Sequence, residues 1–234
     1  MINYAAASKS IPGSRSLLFL MLIFLGLAAF VAIFLVVDGA YFKFTNAWFP
    51  NVGTSAWLAF LWGVVSRAHL LILLLPLVIW RPQLFGFQAG KVWQQRRMLL
   101  IMLLANCGVI ASYLWLTGGT PYSGNQWLVT EVIIVPLVEE VLWRGLVFLI
   151  LNQALLRLYP DKTSTNLAVW LSGLAFGLLH ANNLIAGVPI QFVAIQTLNA
   201  TVWGIMYGYA RAKTESIYPA IFLHAAMNLV VVLF

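Results

Sequence analysis

The stretch Trp127–Leu151, WLVTEVIIVPLVEEVLWRGLVFLIL, carries Glu139, Glu140 and Arg144 within six residues of an otherwise apolar run. A helix crosses the roughly 30 Å hydrocarbon core of a bilayer with about 20 such residues. An ionisable side chain at the centre of a span costs roughly 2.5–3.5 kcal/mol by insertion measurements. Three together are hard to explain as packing. They point to an intramembrane enzyme or an ion-handling protein.

The rest of the chain agrees with a membrane setting. Of its 234 residues 62% are hydrophobic and 8% charged, with a mean hydropathy of +0.93. Soluble chains carry about 25% charged residues, so a soluble domain is excluded. In lipid every backbone group must be paired inside its own helix. The expected fold is all-α, a polytopic transmembrane helical bundle of about seven to eight membrane helices. It forms a single domain over 1–234, with residues 1–15 a cytoplasmic tail and 127–234 the motif-bearing core.

Seven apolar segments can be read: Ser16–Val37, Trp57–Trp80, Arg97–Leu116, Trp127–Leu151, Asn166–His180, Pro189–Ala210 and Ile217–Phe234. The fifth is short and the fourth long, which suggests tilt or a fifth span that continues past His180, and Asp38–Ala56 has room for another embedded piece. Gly118–Gly119–Thr120–Pro121 and Tyr159–Pro160–Asp161 are loop signals. The net charge of +7 follows topology rather than a nucleic-acid-binding patch. Lys9, Arg15, Arg81, Lys91, Arg96, Arg97, Arg157, Lys162, Arg211 and Lys213 fall on one side, and Lys43 alone on the other. The positive-inside rule then sets the N-terminus in the cytoplasm. Trp48, Trp57, Trp80, Trp93, Trp115 and Trp127 stand near span ends and read as interfacial anchors. Cys107, the one cysteine, reads as a small buried apolar residue. Gly173, Gly177, Gly204 and Gly208 look like close-packing positions.

The polar residues form a constellation. Neighbours on a helix differ by about 100° in direction, so Glu139 and Glu140 face different surroundings. Glu140 and Arg144 are spaced to pair along one face. Glu139 has no such partner on its own helix, and its setting suits a general base or acid. His180 stands one turn beyond Phe176, and His224 and Asn228 share a face of the last segment. Together Glu139, His180, His224 and Asn228 could close around one cavity. Glu131 is expected to be exposed at the span end. Arg67 is expected to pair with a carboxylate or snorkel, with the gripping of a substrate carboxylate as the other reading. Gln196 and Asn199 read as helix glue.

Glu139-Glu140-x-x-x-Arg144, Phe176-x-x-x-His180 and His224-x-x-x-Asn228, in this order, resemble the three-motif signature of the CPBP intramembrane proteases. That group includes the type II CAAX-processing endopeptidases and the bacteriocin-processing or self-immunity proteins. The resemblance covers about residues 127–234. It implies a glutamate-dependent peptidase in which Glu139 activates water and His180 shares the task. His224 and Asn228 would stabilise the oxyanion, with Glu140 and Arg144 supporting the site. Amide hydrolysis needs such a base and such donors. No cofactor is expected. Glu139, His180 and His224 have the ligand types of a zinc site, but H-E-x-x-H is absent and a metal is disfavoured.

The expected partners are the lipid bilayer and a membrane-associated peptide or protein substrate, with no nucleic acid. The expected place is a bacterial inner membrane, with the site at mid-to-cytoplasmic depth. The oligomeric state is not legible. Two other functions fit the same composition: a proton-coupled transporter, or a non-catalytic immunity or scaffold protein. Buried Glu and His also mark proton relays, but spans one and three are poor in polar residues and no inverted repeat is visible.

Overall fold

The computed structural model describes residues 13–117, 124–184 and 188–234. Lys9 and the loop signal at Gly118–Pro121 lie outside them, as does most of the expected tail. Among the described residues the fold is all-α. The helices are α1 (Gly13–Trp48), α2 (Ala56–Val65), α3 (Ala68–Trp80), α4 (Arg96–Thr117), α5 (Val135–Glu140), α6 (Phe148–Leu156), α7 (Lys162–Leu179), α8 (Ile190–Thr214) and α9 (Tyr218–Leu233).

Among the described residues three helices are long and apolar enough to cross a membrane: Ser16–Trp48, Trp93–Leu116 and Lys162–Leu184. The second apolar segment is not one straight span, since α2 and α3 meet with a bend of 64° at Ser66–Arg67. Counted together they make a fourth candidate. α1 runs on to Trp48, so much of the region expected to hold another embedded piece is its last turns. The fifth segment does continue, as a 3₁₀ turn His180–Leu184. Tyr159–Pro160–Asp161 is a turn whose Asp161 side chain caps α7, accepting from the Thr163 amide at 2.8 Å. That bond holds the exposed Asp161 carboxyl below its usual range.

The fourth segment is one rod, 125–156, built of mixed turns. A π-turn at Thr130–Ile134 precedes α5, and a second one, Val141–Val147, joins α5 to α6. Pro136, at the start of α5, has no N–H to return to the preceding turn, which fits the widened turn just before it. π-turns inside α-helices cluster at functional sites because they re-aim side chains. Here they bracket the two glutamates.

α2 and the rod run in the same direction. Trp62 and Trp127 pack edge-on at 5.7 Å, Thr130 Oγ1 donates to the Ala59 carbonyl at 2.7 Å, and farther along Gly145 meets Phe85. Trp127 is buried, whereas Trp48, Trp57, Trp80, Trp93 and Trp115 are exposed as interfacial anchors should be. α7 and α8 pack backbone to backbone. A Cβ on Gly173 would come within 2.6 Å of the Ile205 amide nitrogen, and one on Gly177 within 2.8 Å of Thr201 Cα. At the basic end, the loop after α3 hooks onto the α8–α9 turn through Ile217 N–H to the Gly86 carbonyl at 2.8 Å. Lys91 Nζ donates to Glu215 there at 2.6 Å, and this bond holds the Glu215 carboxyl below its usual range.

Candidate active site

Glu140 ends α5 and is fully buried. The π-turn that follows brings Arg144 back onto it, and Arg144 Nη1 donates to Glu140 Oε1 at 3.0 Å. The expected pair is therefore present. From α9, His224 Nδ1 donates to the same oxygen at 2.9 Å. One carboxylate oxygen thus ties α9 to the rod, and Arg144 is as deeply buried as Glu140.

Aromatic rings complete this cluster. The Arg144 guanidinium lies 4.3 Å from the Phe176 ring centre and 5.5 Å from that of Tyr207. Its Nε and Nη2 have no hydrogen-bond partner among the described residues, so ring faces supply part of what acceptors otherwise would. His224 stacks on Tyr207 at 5.6 Å and 24°. Asn106 Nδ2 donates to the Tyr207 hydroxyl and to the Leu223 carbonyl, both at 2.9 Å. Neither Tyr207 nor Asn106 stands out in the sequence, because each lies in an ordinary apolar segment and acquires its role only by contact.

Glu139 faces elsewhere. It lines a cavity of about 730 Å³ together with His180, His224 and Asn228, so the three motifs do converge. Among the described residues Glu139 has no hydrogen bond or ion pair. His180 is held one turn back by its own helix, with Nδ1–H donating to the Phe176 carbonyl at 3.1 Å. A carbonyl can only accept, so Nδ1 carries the proton, and in the neutral ring Nε2 keeps its lone pair. Asn228 Nδ2 donates to the Glu131 carbonyl at 2.7 Å, inside the first π-turn. One of its two amide hydrogens is engaged there, which leaves the second.

Two expectations are corrected. Glu131 is not an exposed residue at a span end, because parallel packing of the rod against α2 turns it toward the cavity. Arg67 forms no close ion pair with a carboxylate among the described residues. The helix break places it on the cavity wall, where Nη1 donates to Ser66 Oγ at 3.0 Å. Gln196 does act as glue, accepting from Asn183 Nδ2 at 2.6 Å, but it also lines the cavity. No three His, Cys, Asp or Glu side chains among the described residues are grouped so as to hold a metal ion.

The cavity has a floor and a direction. His224 lies six residues into α9 from its basic-end start, about 9 Å by helix rise. From that floor the cavity runs past Glu131 and Asn228 to Lys43 and Val231, near the end opposite the Arg- and Lys-rich loops. The deepest polar groups are thus near the expected depth, while the open space extends the other way.

No curated protein and no solved structure matches the chain. The model of the family described as type II CAAX prenyl endopeptidase Rce1-like matches residues 123–230. That span contains all three motifs and every polar contact of the Glu140 cluster except those of Asn106. Over residues 123–230, somewhat under half of its 234 residues, the chain is similar to the Rce1-like CAAX proteases.

Proposed function

We propose that the protein is a glutamate-dependent intramembrane endopeptidase that cleaves a membrane-associated peptide or protein. The observation that carries this reading is the contrast between adjacent glutamates. Glu140 is committed to Arg144 and His224, whereas Glu139 lines the cavity uncommitted beside His180.

In the proposed reaction, Glu139 takes a proton from a water molecule while the water oxygen attacks the scissile carbonyl carbon. His180 Nε2 accepts a hydrogen bond from the same water and orients it. The tetrahedral oxyanion is met by the free amide hydrogen of Asn228 and by His224. His224 donates its Nδ1–H to Glu140, so donation from Nε2 requires the imidazolium form. As the C–N bond breaks, the proton on Glu139 passes to the leaving nitrogen, yielding a new carboxylate and a new amine.

The protein is further proposed to sit in a bacterial inner membrane with its N-terminus in the cytoplasm, on the strength of the basic loops at one end. The test compares protein termini from cells carrying the wild-type chain with those carrying Glu139→Gln at matched levels. New termini should appear with the wild type and fall by about 10²–10⁴ in rate with the variant, the usual worth of a positioned base. Termini that persist unchanged with Glu139→Gln would sink the assignment.

A further inference from the structure

α4 presents one buried stripe to the core: Met102, Asn106, Ile110 and Leu114. Asn106 is its polar member and is fully buried in mid-helix. Its Nδ2 spends one hydrogen on the Tyr207 hydroxyl oxygen of α8 and the other on the Leu223 carbonyl of α9, each at 2.9 Å. A carbonyl only accepts, so this nitrogen is the donor end of the amide. Asn106 Oδ1 has no partner among the described residues, so what the side chain contributes is its two donors. Gluing α4 to α9 needs only the second of these bonds.

The first bond reaches the site through Tyr207. The tyrosine ring stacks on the His224 imidazole at 5.6 Å and 24°, and Phe176 meets the same imidazole edge-on at 6.1 Å. The bond from His224 Nδ1 to Glu140 fixes one point of the imidazole. Its plane, and hence the direction of Nε2, is set by the rings packed on it. Because the Tyr207 oxygen accepts from Asn106, its own hydrogen is left for Met227 Sδ at 3.8 Å, on the cavity wall. Tyr207 is thus pinned at its far end from α4 while its face bears on His224. Leu223, the other acceptor, directly precedes His224 in α9.

The geometry points to Asn106 as a positioning residue for the proposed reaction: through the Tyr207 ring it keeps His224 Nε2 aimed at the oxyanion. This rests on the peptidase reading and extends the site beyond residues 123–230, into a helix that holds none of the three motifs. Asn106 touches no reacting atom. Removing its bond frees the Tyr207 ring to tilt, and a misplacement of about 1 Å at a reacting group costs roughly 10²-fold in rate.

The first readout needs no substrate. The full chain, with histidine labelled for nitrogen NMR, is placed in phosphatidylcholine bilayers. Its labelled residues are His69, His180 and His224, and the His224 signals are those lost in His224→Ala. Asn106→Leu, which keeps the branched shape and loses both donors, should shift and broaden the His224 signals and leave those of His69 in place. Tyr207→Phe, which keeps the ring but not the acceptor, should do the same, and the double variant should add nothing further. The second readout is the rate at which Glu139-dependent termini appear in cells at matched protein levels. Asn106→Leu should lower that rate by about 10–10²-fold, with a thermal midpoint that shows a folded chain. Unchanged His224 signals in Asn106→Leu, wild-type signals in Tyr207→Phe, or a rate that falls only in step with the folded fraction overturns the assignment. If Asn106→Leu does not fold, Tyr207→Phe decides alone, because it leaves the bond between α4 and α9 intact. Whether termini depend on Glu139 at all judges the peptidase reading separately.

Discussion

α1 and the α7–α8 pair are both apolar and both helical, yet they do opposite work. The most apolar stretch of α1 is 6% buried, and that of α7 is 39% buried. α1 packs Phe30 and Phe34 against Trp143 and rests Leu20, Ile23, Leu27 and Val31 on the core, while Leu18, Leu22, Leu25, Ile33 and Val36 face outward. α7 and α8 approach through Gly173 and Gly177 until backbone meets backbone. Lipid tails are as apolar as leucine, so hydrophobicity does not choose which helices touch. Small residues and buried polar pairs do. The motif-bearing half of the molecule is therefore the half rich in them, and α1 is a wall of the cavity more than a part of the core.

The largest effect that tests this contrast is loss of the buried cluster. Arg144→Ala leaves Glu140 buried with only His224, and stability should fall by about 3–5 kcal/mol. Thermal unfolding in detergent would measure it, with Leu25→Ala on α1, an exposed position, as the comparison within roughly 0.5 kcal/mol of wild type. A small loss at Arg144 would mean that the ring contacts, not the carboxylate, hold the site.

Next in size is Gly177→Leu. Its side chain has to displace Thr201, and overpacking of this kind costs about 1–3 kcal/mol. Activity should fall with stability, because His180 is held by the carbonyl of Phe176 on the same helix. An active, stable Gly177→Leu protein would show that the α7–α8 contact is looser than described.

The smallest effect belongs to the basic end, outside the membrane. The Glu215 carboxyl is held below its usual range by Lys91, so its contribution is present above the unfolded value near 4.5 and lost as pH falls through the lowered folded value. Both side chains are partly exposed, and such pairs contribute roughly 0–1 kcal/mol. Unfolding midpoints of wild type and Glu215→Gln should differ slightly at neutral pH and converge in acid. A gap that persists in acid would assign the effect to the Gln88 bond to the Glu215 carbonyl or to the turn itself.

Much of the site was legible because its chemistry is carried by residue types that lipid rarely tolerates. Glu139, Glu140, Arg144, His180, His224 and Asn228 stood out against apolar neighbours, and the i,i+4 spacing of Glu140 and Arg144 is a local property of a helix. Glu131 and Arg67 were misread because their surroundings depend on packing. Glu131 faces the cavity through the rod's contact with α2, and Arg67 through a helix break that no glycine or proline at 66 or 67 announces. Tyr207 and Asn106 gave no signal, since a tyrosine near a span end and an asparagine in a span have many ordinary uses.

The sequence by itself determined the membrane setting, the helical class and the polar inventory of the site. Those follow from composition and from the cost of unpaired backbone and charge in hydrocarbon. Spacing along one helix already pairs Glu140 with Arg144, but only the tertiary structure brought His224 from α9 onto the same carboxylate oxygen and set Glu139 on the cavity. Tertiary packing likewise decided that the cavity runs away from the basic end, because its direction is set by how helices lean on one another through small residues.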